Sequence, residues 1–391
     1  MGFLQRLDAG FYATVQARVR ARLEEDGFTA IICDHPDDVA YLTGFFHHPG
    51  ERPVVVHIGL HGPATLLVPA LESEHAQWQR AAAEVVTYPE FPGVVEPLTI
   101  LARAVRAGGR VGFGPSMSVA RLRLLERSFP GLDLVASDVV TLARYVKEPA
   151  EVELHREAAR ITDLMLAAGI ALVTDAVADG GSMPSESELA AHVGRVGTST
   201  MYAEHEDVVV LGFLAGGLVY AGPNSAKPHG LPSSYRLRPG DTFMLSLGCA
   251  VGGRFVEGER TFILGEPSAE QQRYYEAVRA AQQLGGDLLR PGLTCAESNA
   301  LCLDVIREAG LGEFLQHRQG HGIGVGMHEP PWLEDGDDTV LEEGFVVSNE
   351  PGIYIPGHAG YRISDSMLIT ADAAVPFTAY PRSLEDVVIG A

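Results

Sequence analysis

From about Phe11 to Val146, stretches with helical apolar spacing alternate with short β-rich runs. Val15 to Glu25 carries its apolar residues at helical intervals, while Thr29-Ala30-Ile31-Ile32-Cys33 and Arg52-Pro53-Val54-Val55-Val56-His57-Ile58 are continuous enough for buried strands. Helices alternating with short strands predict an α/β domain. The polar, proline-marked stretch Lys147-Glu148-Pro149-Ala150-Glu151-Val152-Glu153 then opens a long helical pattern through Ala158, Ile161, Met165, Ala168 and Leu172. A domain boundary is expected there, separating residues 1–146 from 147–391. Beyond it the pattern predicts a helix near Ser185 to Val196, and strands over Val208 to Leu214, Thr242 to Leu247 and Phe255 to Leu264. Helices over Ala269 to Leu288 and Ala296 to Ala309 follow, and strand and loop fill the remainder. Strand runs separated by helical blocks predict an α+β domain, with helices on one face of a largely antiparallel sheet.

Composition narrows the function. A chain of 391 residues with 46% apolar content is ample for a packed core. The 51 acidic residues against 29 basic ones leave a formal net charge of −22, and no basic stripe is interleaved with aromatics. Nucleic acid and anionic membrane are therefore poor partners; the charge also permits attraction of cationic small molecules, although a solvated acidic surface kept for solubility explains most of it. Apolar runs are too short for a membrane span, and Met1-Gly2-Phe3-Leu4-Gln5-Arg6 does not lead into a signal-peptide core. The four cysteines, Cys33, Cys249, Cys295 and Cys302, lack paired spacing and fit reduced, buried thiols, so a cytosolic protein is expected.

The chemistry concentrates in the second domain. Leu245-Ser246-Leu247-Gly248 and Glu257-Gly258-Glu259-Arg260-Thr261-Phe262 come first. They are followed by Gly320-His321-Gly322-Ile323-Gly324, then Asn349-Glu350-Pro351-Gly352, then Arg362-Ile363-Ser364-Asp365. In order and spacing these segments resemble the methionine aminopeptidase, prolidase and creatinase superfamily. The resemblance implies an α+β pita-bread C-terminal domain behind a smaller α/β N-terminal domain. Metal-dependent members take five ligands from these segments, in the order Asp, Asp, His, Glu, Glu. The matching positions here are Ser246, Glu257, His321, Glu350 and Ser364. A serine cannot bridge two cations held about 3.5–4 Å apart. The site therefore reads as free of metal and other cofactors, with His321, Glu350 and Glu257 able at best to hold one loosely defined ion. Asp365 follows Ser364, but neighbouring residues on a strand point to opposite faces.

Glu259, two residues before Thr261-Phe262, resembles a substrate-gripping glutamate of creatinase, a member that works without metal, and Glu350 matches its partner in that clamp. The alternative is that Glu257 and Glu259 are exposed residues paired with Arg254 and Arg260. His229, in Asn224-Ser225-Ala226-Lys227-Pro228-His229-Gly230, matches the creatinase general acid/base, and His321 becomes a substrate contact. His328, in Met327-His328-Glu329-Pro330-Pro331, either lines the pocket or serves a structural hydrogen bond. Trp332 stands where creatinase anchors a carboxylate with arginine, and Phe255 where it has a tyrosine. Arg52 matches an arginine that reaches the neighbouring subunit's pocket, which implies a homodimer whose N-terminal domain completes the partner's site. Two glutamates facing each other in low dielectric resist joint ionisation, so a cation is expected between them. The expected function is metal-independent C–N hydrolysis of a guanidino or amidine small molecule that supplies this cation. An Xaa-Pro dipeptidase with a relaxed metal site and a catalytically silent peptide-binding protein are the alternatives.

Overall fold

The computed structural model describes residues 2–89 and 94–390. The chain divides into two units, one of Leu4–Arg144 with Val209–Gly212, the other built on Tyr145–Val208 and Phe213–Ala391. The first is α/β, as its pattern predicts. Its strands are β1 (Ala30–Cys33), β2 (Val55–Gly59), β3 (Thr65–Pro69), β4 (Glu84–Tyr88), β5 (Arg110–Phe113) and β6 (Asp133–Ala136), in the order β4-β3-β2-β1-β5-β6. The pairs β1–β2 and β2–β3 are antiparallel and the other three are parallel. Ile32, Val55, Leu67 and Val111 form its core with Leu101 and Leu125. Helices Ala9–Glu25 and Val119–Ser128 begin where Asp8 and Ser118 accept the amides of Phe11 and Arg121, which would otherwise lack partners inside the helix.

The second unit is built on β7 (Ala215–Ala221), β8 (Thr242–Val251), β9 (Arg254–Leu264), β10 (Gly320–Gly322), β11 (Glu329–Leu333), β12 (Val346–Asn349) and β15 (Ser364–Ile369). A separate ribbon is made of β13 (Gly352–Ile355) and β14 (Ala359–Arg362). The sheet runs β11-β10-β12-β15-β9-β8-β7 with antiparallel neighbours throughout. Helix Pro149–Ala178 starts with proline at its first position, where no amide donor is needed, and buries Leu154, Ala158, Ile161 and Met165. By length and composition alone this helix is apolar enough to cross a membrane, but that inward face packs on β8 and β9. Every residue of β9 is buried, because the helix covers one face and the site floor the other.

Two strands depart from the pattern. β8 extends four residues past the expected end to Val251, where Gly252 and Gly253, at φ 57° and 76°, make the tight turn into β9. β7 begins at Ala215, after the apolar run expected to form it. Gly216 and Gly217 weaken the strand signal, yet a Cβ on Gly217 would fall 2.0 Å from the Ser246 carbonyl oxygen, so glycine is required for β7 to approach β8. Gly217→Ala is expected to lower stability by about 3 kcal/mol through this overlap. A urea midpoint within error of wild type would contradict it.

Candidate active site

The antiparallel register sets the floor of the candidate site. β9 pairs Glu259 with Ser246 on β8 and with Ser364 on β15, so these three positions lie abreast across the sheet. Glu257, two residues away, shares their face. Glu350 follows directly after β12, and His321 sits on β10 between two glycines. A Cβ on Gly320 would lie 2.1 Å from the Ser348 carbonyl oxygen, and one on Gly322 2.5 Å from that of Pro330, so only glycine lets β10 come this close. These side chains floor a cavity of about 890 Å³. Phe213, Leu218, Tyr220, Phe255 and Met327 give it apolar walls, with His229, His317, Arg318 and His328 around them.

One half of the floor is an ion pair. Arg362, at the end of β14, grips both Glu259 oxygens, with Nη2 at 2.7 Å from Oε1 and Nε on Oε2. Nη2 also donates to Ser246 Oγ at 3.1 Å, and Nη1 to the Tyr354 hydroxyl at 2.9 Å. His317 Nε2 meets that hydroxyl at 2.8 Å, and Ser246 donates to Glu259. Glu350 Oε2 stands 4.0 Å from Arg362 Nε. The expected carboxylate clamp is thus corrected: a guanidinium does sit beside Glu259 and Glu350, but it belongs to the chain itself. Nor is either β9 glutamate an exposed strand residue. Arg254 pairs with Glu151 at 2.9 Å and Arg260 with Asp365 at 2.7 Å, leaving buried Glu257 and Glu259 to the cavity. Asp365 points away from it, as strand alternation requires.

The other half is an incomplete cluster. His321 Nδ1 lies 3.0 Å from the Gly322 carbonyl oxygen, to which only a protonated ring nitrogen can donate. Nε2 lies 3.2 Å from Glu350 Oε1 and 3.8 Å from Glu257 Oε2, yet is aligned with neither and has no hydrogen-bond partner among the described residues. Ser364 donates to Glu257 at 2.9 Å, and Ser348 to Glu350 at 3.3 Å. The His328 ring centroid is 3.9 Å from that of His321. Donor atoms of Glu257, His321 and His328 all fall within 4.8 Å of one another.

Protonation reflects this crowding. Burial, then the neighbouring Glu350 carboxylate, raises Glu257 to about 8. Burial works against charge on His321, but Glu257 and Glu350 outweigh it and raise the imidazole to about 9. Burial likewise opposes ionisation of Glu350, yet the close positive charges of His321 and Arg362 hold it well below the usual carboxylate range. Burial and the adjacent His321 lower His328 to about 4.

The structure brings His229, Glu259, Glu350, His321, His328 and Phe255 around one cavity. Trp332 stands behind its wall, with Arg318 Cζ stacked 4.4 Å from the indole centroid. Arg52 belongs to the other unit, where it pairs with Glu51 at 2.9 Å. Sequence reasoning overlooked Arg362, Tyr354, His317 and Arg318. Arg362 was in view, two residues before Ser364, but its motif was used for spacing and not for chemistry.

Residues 153–371 match the profile of metallopeptidase family M24, and residues 16–146 match that of the creatinase/prolidase N-terminal domain. The chain belongs to family M24. It is 31% identical to an Xaa-Pro dipeptidase of Lactobacillus delbrueckii subsp. lactis over 371 residues, 93% of this chain and 96% of that one. It is 31% identical over 385 residues to the probable dipeptidase PepE of Mycobacterium tuberculosis, covering 97% and 98%. Among solved structures, dipeptidase PepE from Mycobacterium ulcerans superposes at a TM-score of 0.85, with 29% identity over 99% of this chain and 100% of that one. Prolidase from Pyrococcus horikoshii OT3 superposes at 0.81, with 26% identity over 95% and 99%. The pita-bread architecture with its N-terminal domain is thereby established.

These M24 relatives are dipeptidases or prolidases by name and cover 93–99% of the chain, which overturns the expected creatinase-type guanidino or amidine hydrolase. Metal independence and a cationic small-molecule substrate lose their support with it. The metal implied by the family can be tested on the donors present. The orphaned Nε2 of buried His321, aimed between two carboxylates and locked by its Nδ1 contact, fits a cation at the Glu257, His321, Glu350 and His328 end. Glu257 and His321 bind protons more tightly folded than unfolded. Their stabilisation is therefore complete below the unfolded values, 4.5 and 6.5, and is lost as pH rises through about 8 and 9. The melting temperature of chelator-treated protein should fall between about pH 4.5 and 9, and Glu257→Gln should flatten the lower part of that fall. A flat profile in wild type would contradict these shifts.

Proposed function

We propose that this protein hydrolyses the peptide bond of short peptides, with dipeptides carrying proline in second position as the substrate class. What carries the reading is one coincidence: Glu257, His321 and Glu350 converge on the floor of an apolar-walled cavity, in a chain that matches named dipeptidases over more than nine-tenths of its length. A cavity of about 890 Å³ has room for a dipeptide, and walls from Phe213, Leu218 and Phe255 suit a pyrrolidine ring.

A divalent ion seated at the cluster supplies Lewis acidity and a more acidic water. Glu350, on the floor, takes the proton released as the water oxygen bonds to the carbonyl carbon. His229, on the loop across the cavity, delivers a proton to the nitrogen as the C–N bond breaks, a task imidazole performs well near neutral pH. His328 and the Arg362–Glu259 pair keep the reacting group against the floor. We further propose a homodimer in which Arg52 reaches toward the partner's cavity, working in the cytosol, where the four free and buried thiols stay reduced.

The test is a panel of Xaa-Pro and other dipeptides, offered to protein stripped by chelator and reloaded with Mn²⁺, with creatine and cyclic amidines as controls. Cleavage of Xaa-Pro dipeptides is expected, and His229→Ala should lower kcat by about 10²–10⁴. Cleavage of the controls alone, or of no peptide under any loading, would overturn the proposal.

A further inference from the structure

The two halves of the floor differ in one respect that the family resemblance does not carry: one is closed by a guanidinium, the other open around an unpartnered imidazole nitrogen. We propose that the site takes a single divalent cation, held by Glu257, His321 and Glu350 with His328 beside them, and that Arg362 permanently occupies the place of a second.

Geometry separates the two places. Glu259, Ser246 and Tyr354 turn their polar atoms toward Arg362, which contacts both oxygens of Glu259 and both hydroxyls. A cation entering there has to displace a buried guanidinium from a two-point carboxylate contact, among the stronger interactions a protein makes. Ser246 and Ser364, which flank Glu259 in register, bring hydroxyls where bridging of two ions needs carboxylates. At the other end, Nδ1 faces the Gly322 carbonyl and leaves Nε2 facing Glu257 and Glu350, a position from which it can ligate a cation in exchange for its proton. His321 is almost wholly buried, and its Nε2 has no hydrogen-bond partner among the described residues. Two imidazoles and two carboxylates suit a borderline ion such as Zn²⁺ or Mn²⁺.

Charge decides the number. Three glutamates line the cavity floor, buried Glu257 and Glu259 and half-buried Glu350. With His321 and the carboxylates deprotonated, as metal ligands must be, the Arg362 guanidinium balances one of the three, leaving two negative charges that a single divalent ion brings to neutrality. A second ion would leave two uncompensated positive charges in a buried site, which low dielectric penalises. This inference rests on the peptidase reading only for its catalytic consequence, since occupancy is measured without turnover.

The experiment is equilibrium dialysis of chelator-stripped protein against Mn²⁺, with bound metal counted by mass spectrometry and folding checked by circular dichroism. Wild type should bind one ion per chain. Glu257→Gln and His321→Ala should each weaken binding by at least about 10–100-fold. Arg362→Met, which frees the Glu259 carboxylate, should raise the count to two, and Arg362→Met with Glu259→Gln should return it to one. Two ions in wild type, none in wild type, or an unchanged count in folded Arg362→Met would overturn the inference. A single ion together with no cleavage of any peptide would leave it standing while removing the proposed function.

Discussion

The buried ion pair between Arg362 and Glu259 is the constraint on which the rest of the site depends. Carboxylates at 257, 259 and 350 share a floor backed by the helix Pro149–Ala178 on one side of β9 and facing an apolar-walled cavity on the other. Like charges so placed cannot all ionise without a counter-charge. Arg362 supplies it from within the chain, in a position fixed by Tyr354 and Ser246. Once Glu259 is neutralised, the remaining acids have only the His321 imidazole between them, which is why Glu257 holds its proton well above the usual range while Glu350 gives its own up. The unevenness of the floor, one end paired and the other open, follows from where this single guanidinium sits.

That unevenness also sets what chemistry the cavity supports. A planar guanidinium gripping both oxygens of a carboxylate orients a group but has no vacant coordination position. An imidazole between two carboxylates offers one once it gives up its proton to an incoming cation. Binding energy and reactivity are thus divided between the two ends of the floor. The apolar walls above contribute area rather than charge, as suits a substrate with a hydrophobic side chain. Family membership places such a cavity among peptidases, and the residues at 246 and 364 mark where this chain departs from the ligand set its resemblance implies.

Much of the fold was legible in the apolar pattern. The helices from 149 and 269, and the strand pair from 242 to 264, were readable because long buried elements leave strong periodicity. β7 was not, since Gly216 and Gly217 serve a backbone approach that has no hydrophobic signature. In the site, the positions of Glu257, Glu259, His321 and Glu350 were legible from motif spacing, whereas their pairing was not. The expected need for a cation was sound physical chemistry, but a substrate was assigned to it because a linear sequence does not reveal that the β13–β14 ribbon delivers Arg362 onto Glu259. Trp332 shows the same limit: its place in the motif pointed at the cavity, yet the side chain lies behind Arg318. The identity of the reaction was misjudged for a related reason. Loss of two acidic ligands was taken as loss of all metal chemistry, although the donors that remain still converge.

The most direct measurement of the central claim is a crystal structure of Mn²⁺-loaded protein with anomalous scattering data. One anomalous peak beside His321 and Glu257, with the Arg362 guanidinium still on Glu259, is the predicted result. Two peaks on the floor, or Arg362 turned away with a metal ion against Glu259, would contradict it.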